Sequence, residues 1–150
     1  MQKHANLRDR MIPVCCVAMI AALYVVGLVS GTELRHFVQT VPLWLGAILG
    51  FLGARVARWV ALPLFLFWLF LMILIWLYLM GWAELIHGHF SPTEIAMTLV
   101  VGISSLLGII GSVQGMLGTG LLTGGAVFLL SAVFQVAMFY VSFLPRFAHR

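Results

Sequence analysis

Long stretches without charge divide the chain. Residues 11–32, 36–54, 59–83 and 95–145 contain no Asp, Glu, Lys or Arg. A helix needs about 20 apolar residues to cross roughly 30 Å of hydrocarbon, so each of the first three stretches fits one crossing. The fourth would be about 76 Å long as a single helix and must fold back. Its most polar point, Ser112-Val113-Gln114-Gly115, is the natural place for the turn.

This pattern predicts helices throughout, at about 12–31, 37–55, 59–83, 94–112 and 117–144. Residues 1–150 then form a single integral membrane domain. We expect an all-α, polytopic membrane helix bundle with about five transmembrane helices. Four crossings are the alternative, if the last stretch does not form a hairpin.

Composition excludes a soluble domain. The chain is 63% hydrophobic and only 8% charged, with a mean hydropathy of +1.15, whereas soluble domains carry roughly 25% charged residues. The eight Lys and Arg residues are scattered over the termini and short loops, so we expect no nucleic-acid partner. The expected partner of the surface is the lipid bilayer of a cell membrane, the inner membrane if the organism is a bacterium.

The basic residues predict an orientation, because cytoplasmic segments carry an excess of Lys and Arg and the first helix usually weighs most. A cytoplasmic N-terminus places five of them inside, namely Lys3, Arg8, Arg10, Arg55 and Arg58, and three outside, namely Arg35, Arg146 and Arg150. We therefore predict that the N-terminus is cytoplasmic. The two C-terminal arginines argue for the reverse.

Small residues recur at helical spacing in three predicted helices, and several form GxxxG pairs. Such stripes let helix backbones approach closely in lipid. We expect them to form the bundle interior, or an interface with another copy or with other membrane subunits. They are Gly46, Gly50, Gly53 and Ala57 in the second helix, Ser104, Gly108, Gly111 and Gly115 in the fourth, and Gly124, Ser131, Gln135 and Ser142 in the fifth.

Two helices carry exceptions to this pattern. Residues 64–80 of the third helix read LFLFWLFLMILIWLYLM, with no Gly, Ala, Ser or Thr. A helix that is bulky all round lacks a face for close packing, so we expect it to face lipid or, alternatively, to dock on a larger partner.

In the fifth helix Gln135 is the long polar side chain nearest mid-span. It is expected to make an interhelical hydrogen bond, with a pore-lining role as the alternative.

Acidic residues and histidines gather at one face of the predicted bundle. Two outer loops repeat a short pattern, Glu33-Leu34-Arg35-His36 and Glu84-Leu85-Ile86-His87. Glu-x-x-His puts a carboxylate and an imidazole on one helix face, as in two-metal sites of helix bundles, and two imidazoles can hold a haem. The candidate metal or haem ligands are Glu33, His36, Glu84, His87, His89 and Glu94. The alternative is that polar residues simply collect in loops; no other cofactor is predicted.

Three hypotheses for the function follow. The chain carries no recognised catalytic motif, so an enzyme is the less favoured class. No ionisable group lies at mid-bilayer depth in a predicted span, which argues against an ion-coupled carrier. The leading hypothesis is an accessory or assembly subunit of a membrane complex, or a homo-oligomeric bundle. The alternatives are a channel or facilitator for a neutral solute, lined by the small polar face of the last two helices, and a metal- or haem-binding redox subunit.

Overall fold

Five long helices and one short helix make up the described part of the chain. The computed structural model describes residues 7–82, 89–114 and 120–148. Four of these helices are long and apolar enough to cross a membrane, over Arg10–Ser30, Ala57–Leu79, Pro92–Val113 and Leu122–Val141. The predicted all-α bundle is therefore confirmed. The helices are α1 (Leu7–Ser30), α2 (Glu33–Phe51), α3 (Ala57–Leu79), α4 (Pro92–Val113), α5 (Leu121–Val141) and α6 (Pro145–Ala148).

Helices α1 and α2 form a closely packed antiparallel pair. Gly50, near the end of α2, lies against Pro13, near the start of α1; a β-carbon at residue 50 would be 2.8 Å from Pro13 Cδ. At the other end of the pair, Gly27 of α1 lies against His36 of α2. The missing side chains let the two backbones approach closely, so α2 runs alongside α1 over most of its length.

The bundle has two ends, which we name the Thr32 end and the Gly53 end after residues in the α1–α2 and α2–α3 connections. Helices α1, α3 and α5 run toward the Thr32 end, and α2 and α4 run away from it. The end of α4 consequently lies beside the start of α1, where Gly111 faces Met11. The Thr32 end therefore gathers the first turns of α2 and α4 and the last turns of α1, α3 and α5.

Helix α2 begins earlier than the sequence pattern predicts. The expected start at residue 37 is wrong, because the helix begins at Glu33. The backbone N–H of His36 already donates to the carbonyl oxygen of Thr32 at 3.2 Å. The segment from Glu33 to His36 is therefore the first turn of α2 and not an outer loop.

Gly53 ends α2 and does not pack against another helix. It has a φ of +66° and is exposed, and no atom of the described residues lies within 4 Å of the position that a β-carbon would take. The N–H of Gly53 donates to Gly50 O and that of Ala54 to Leu49 O, at 3.1 and 3.0 Å, which is the Schellman arrangement. Placing Gly53 in the packing stripe was wrong, because the spacing of small residues continues past the point where the backbone leaves the helix.

Helix α3 packs against α2, α4 and α5. The prediction that α3 faces lipid is therefore wrong for its buried side. The opposite side, with Leu66, Phe70 and Ile73, is exposed. The buried residues of α3 are Ala57, Val60, Ala61, Pro63, Leu64, Phe65, Trp68 and Met72.

Small residues on the neighbouring helices make room for the bulk of α3. The Phe65 ring occupies the space above Gly108 of α4, and the Trp59 ring occupies the space above Gly124 of α5. A β-carbon at either glycine would overlap the aromatic ring. Bulky and small helix faces are thus complementary, and these two small-residue stripes pack within a single chain.

Candidate functional site

A cavity of about 500 Å³ lies at the Thr32 end, and all five long helices contribute to its wall. Ligand pockets in proteins typically measure about 300–1,000 Å³ and combine an apolar lining with a few polar groups. Apolar side chains make up most of this lining, among them Leu71, Met72 and Val101. The polar lining residues are Ser30, Thr32, Arg35, His36, Gln39, Glu94 and Thr98. The cavity therefore has the size and the lining of a small-molecule site.

His36 is held in place by the α1–α2 connection. Its Nδ1 lies 3.1 Å from both the hydroxyl and the carbonyl oxygen of Thr32, and the Thr32 hydroxyl in turn contacts that of Ser30. The imidazole is therefore fixed through one ring nitrogen.

Glu94 takes part in capping the first turn of α4. Its Oε2 accepts the backbone N–H of Ser91 at 2.7 Å, and the Ser91 Oγ accepts the backbone N–H of Glu94 at 3.2 Å. This reciprocal arrangement is a capping box, and the carboxylate also complements the positive end of the helix. Thr98, one turn further along, donates its hydroxyl to Ile95 O at 2.7 Å.

Gln39 connects α2 to the end of α5. Its Nε2 donates to the Ser142 hydroxyl at 2.9 Å, and Ser142 donates to Phe139 O. Both side chains are buried, so this hydrogen bond crosses the helix interface in an apolar setting. It fixes the depth of α5 relative to α2.

Two buried N–H donors of the cavity wall have no hydrogen-bond partner among the described residues. They are the Nε of Arg35 and the indole Nε1 of Trp68. The Arg35 guanidinium lies over the Phe143 ring, 4.8 Å from its centroid, and Trp68 is only 3% exposed. Buried donors are nearly always satisfied in native proteins, and these two belong to residues that line the same cavity.

The candidate metal ligands separate in the structure. Among the described residues, no three His, Cys, Asp or Glu side chains form a group that could hold a metal ion. Glu33 and His89 are exposed, whereas His36 and Glu94 line the cavity. The metal-site hypothesis stays a prediction, because two of the proposed ligands, Glu84 and His87, lie outside the described residues, as does Gly115 of the small-residue stripe.

The other predicted packing residues lie between helices. Gly46 faces Cys16 of α1, whose Sγ would be 3.2 Å from a β-carbon at residue 46. Ser104 of α4 is buried. Ser131 of α5 donates its hydroxyl across the interface to the carbonyl oxygen of Val60 in α3, at 2.8 Å. At some positions the small residues let two helices approach closely, and at others they make a hydrogen bond between helices.

Gln135 does not make the predicted interhelical hydrogen bond. Its side chain is completely buried, and neither its Nε2 nor its Oε1 has a partner in the described part of the structure. The amide is also absent from the cavity lining. For the described residues the prediction of an interhelical hydrogen bond is therefore wrong; on the same helix, one turn earlier, Ser131 does make one, to Val60 O.

Sequence reasoning did not select Arg35, Gln39 or Trp68 as site residues, although one signal was present. Trp59 and Trp82 lie at the two ends of the third apolar stretch, as interfacial tryptophans do. Trp68 lies between them, where an indole N–H needs a partner inside the bundle. A mid-span Trp therefore points to an internal polar contact.

No protein-family model matches the chain, and neither the curated proteins nor the solved structures give a significant match.

Proposed function

We propose that the chain is a multi-pass membrane protein that binds a small amphipathic molecule in the cavity at the Thr32 end. The observation that carries this proposal is the pair of buried, unpartnered N–H donors, on Arg35 and Trp68, in the wall of one cavity. Other polar side chains of the same wall, namely Gln39, Glu94 and Thr98, have partners within the bundle. A ligand that accepts hydrogen bonds satisfies both donors.

We include α2 as a fifth crossing. It lies alongside α1 from the contact between Gly50 and Pro13 to that between His36 and Gly27. Helix α1 is long and apolar enough to cross a membrane, and α2 covers nearly the same depth. Its charged residues, Glu33 and Arg35, are confined to its first turn. With the N-terminus in the cytoplasm, the cavity then lies in the outer half of the membrane.

A solute path along the small polar face of α4 and α5 is not favoured by the packing. The Ser105 hydroxyl donates to Val101 O and lies 3.7 Å from Met19 Sδ, while Phe65 fills the space above Gly108. These groups are in contact with neighbouring helices and leave no open groove at these positions. We therefore place the bound molecule in the cavity.

Native mass spectrometry of the purified protein tests the proposal. Wild-type protein is expected to retain amphipathic adducts that Val101→Phe, which fills the cavity, removes; Leu71→Trp provides a second cavity-filling variant. Ile110→Phe is the matched control, because Ile110 lies on the exposed side of the same helix. Identical adducts on wild-type protein and both cavity-filling variants, when all are folded, would contradict binding in this cavity.

A second candidate, the accessory or assembly subunit, is supported by the exposed side of α5. Only 17% of the membrane-length window of α5 is buried, against 39–50% in the other three candidate spans. Leu130, Val133 and Val136 lie on this uncovered side. A photo-crosslinking residue at Val133 should give one protein adduct of fixed mass if a subunit covers α5. Lipid adducts alone, as expected at exposed Leu66 of α3, would contradict this second candidate.

A further inference from the structure

We propose that the bound molecule is a short amphiphile with a hydrogen-bond acceptor at each end and hydrocarbon between the two. Its outer end is an oxyanion at Arg35, on the rim of the cavity nearest the Thr32 end, and its inner end is a neutral oxygen at Trp68, on the cavity floor. This inference rests on the proposed binding cavity and names the chemistry of its ligand. A medium-chain fatty acid with a keto group near its far end has this structure.

The cavity is polar at its rim and apolar farther in. Helix α3 runs toward the Thr32 end, so Ile75 lies nearest the rim and Trp68 deepest among the lining residues of this helix. Helix α4 runs the other way, and its lining passes from Glu94 at the rim to Val101 inside. The charged lining residues Arg35 and Glu94 both lie in the first turns of their helices. A ligand therefore meets charge at the rim and hydrocarbon between the rim and Trp68.

Side chains of three helices close the space beyond Trp68. Phe65, nearly one turn deeper on α3, occupies the space above Gly108 of α4. Met19 of α1 lies with its Sδ 3.7 Å from the Ser105 hydroxyl of α4. Phe65, Met19 and Ser105 are completely buried, and none of them lines the cavity. The hydrocarbon of the ligand therefore lies on the Arg35 side of Trp68 and does not pass beyond it.

The backbones that carry the two donors differ in depth by about two helical turns. Gly46 of α2 lies beside Leu64 of α3, whose Cδ1 would be 3.5 Å from a β-carbon at residue 46. From this level Arg35 is eleven residues nearer the Thr32 end, and Trp68 is four residues nearer. At about 1.5 Å per residue, Arg35 therefore lies on the order of 10 Å closer to that end than Trp68 does.

Both ends of the ligand must accept hydrogen bonds, because a guanidinium Nε–H and an indole Nε1–H can only donate. At the rim, the planar and permanently charged guanidinium of Arg35 fits a carboxylate or a phosphate. On the floor, Trp68 is neutral and its neighbours in the lining are apolar, among them Leu71 and Met72. An ion there would lose its hydration without gaining a counter-charge. The inner acceptor is therefore a neutral oxygen, such as that of a ketone.

The carboxylate of Glu94 also lies at the rim but is engaged by its own helix. Its Oε2 accepts the backbone N–H of Ser91 at 2.7 Å, and the positive end of α4 offsets its charge. The guanidinium of Arg35 lies over the ring of Phe143, which stabilises the cation but offers its Nε–H no oxygen acceptor. This leaves the buried Nε–H of Arg35 to an incoming oxyanion.

The depth difference sets the length of the ligand. An extended chain advances about 1.2 Å per bond, and each hydrogen bond takes up nearly 3 Å of the gap between the donors. A gap on the order of 10 Å then corresponds to roughly four to eight bonds between the two polar carbons. 6-Oxoheptanoic and 8-oxononanoic acids lie within this range, and 12-oxotridecanoic acid lies above it.

Equilibrium dialysis of isotope-labelled acids against the full-length protein in nanodiscs, with empty nanodiscs as the blank, tests the inference. Trp68→Phe, which removes the N–H and keeps an aromatic ring, should weaken 8-oxononanoic acid about tenfold and leave nonanoic acid, which lacks the keto oxygen, unchanged. Arg35→Gln should weaken both acids tenfold or more, because a charge-assisted contact is lost. Trp76→Phe and Arg55→Gln, outside this cavity lining, are the matched controls.

Two further arms vary the chain and the head group. The effect of Trp68→Phe should recur with 6-oxoheptanoic acid and be absent with 12-oxotridecanoic acid, whose keto group lies too far from its carboxylate. 8-Oxononyl phosphate replaces the carboxylate with a phosphate, so the tighter of these two head groups identifies the oxyanion, and either one supports the inference.

The outcomes separate this inference from the proposed function. Equal weakening of 8-oxononanoic and nonanoic acids by Trp68→Phe would overturn the assignment of the inner acceptor. Binding of no probe, while Val101→Phe still removes the native adducts, would overturn the inference and leave cavity binding in place. Binding of no probe, together with adducts unchanged by Val101→Phe, would overturn the proposed function as well.

Discussion

The Phe65 ring of α3 occupies the space that a side chain at Gly108 of α4 would need. Phe65 is completely buried, and a β-carbon at residue 108 would lie closer than 3.0 Å to three of its ring atoms. A helix of almost uniformly large residues can pack closely in this bundle because its neighbours are small at these contact points. Close packing between α3 and α4 therefore depends on the absence of one methyl group.

Gly108→Ala should lower the free energy of unfolding by about 1–3 kcal/mol, the usual cost of overpacking a well-packed interior. Reversible unfolding in mixed micelles, followed by circular dichroism, measures this change. Gly102→Ala on the same helix is the matched control, since its β-carbon would make an ordinary 3.9 Å contact with Met72. If both substitutions destabilise equally, the specific contact with Phe65 is not the cause.

The sequence predicted the number of long helices because that number follows from charge spacing and bilayer thickness. The position of α3 could not be predicted in the same way. Bulky side chains at 64–80 fit lipid and fit a small-residue groove equally well by composition. Which surface they meet depends on tertiary contacts such as those of Phe65 with Gly108 and Trp59 with Gly124, and a single helix does not encode them.

The cavity could be predicted from the sequence even less than the position of α3. In the sequence Arg35 is one charge in a predicted loop and Trp68 is part of a bulky run, and no pattern in the chain links residues 33 positions apart on different helices. They share a cavity because α2 and α3 run antiparallel and α5 covers both. The polar pattern at Glu33 and His36 lies at the same end of the bundle as the cavity, because polar residues at helix ends collect at the same membrane face.

Gly53→Ala should destabilise the protein by about 1 kcal/mol, because φ at this position is +66° and an L-residue with a β-carbon is strained there. Gly125→Ala is the opposite case. Residue 125 lies inside α5 with nothing within 4 Å of its β-carbon position among the described residues, so alanine should leave stability unchanged or slightly raise it. Thermal unfolding of both variants measures the difference, and a Gly53→Ala protein as stable as wild type would contradict the role of Gly53 in ending α2.

Cysteine labelling in intact cells should place the two ends of α2 on opposite sides of the membrane. Single cysteines at Leu34 and Arg55, both exposed, are introduced after Cys15 and Cys16 are replaced by alanine. An impermeant maleimide should label position 34 from outside and position 55 only after permeabilisation, since the basic residues favour a cytoplasmic N-terminus. Labelling of both from the same side would show that α2 does not cross, and the reverse order would show the opposite orientation.

Gln135 and Gln39 are both buried, yet the same substitution should affect them in opposite directions. Gln39 donates to Ser142 at 2.9 Å, whereas both polar atoms of the Gln135 amide lack a partner among the described residues. Gln135→Met keeps the length of the side chain and removes an unsatisfied amide, so it should raise the free energy of unfolding by about 1 kcal/mol or more. Gln39→Met removes the hydrogen bond that Gln39 donates to Ser142, and it should lower stability by roughly 0.6–2 kcal/mol. Unfolding of the two variants in parallel measures both changes. A loss of stability in Gln135→Met as large as that in Gln39→Met would show that the Gln135 amide has a partner that stabilises the bundle.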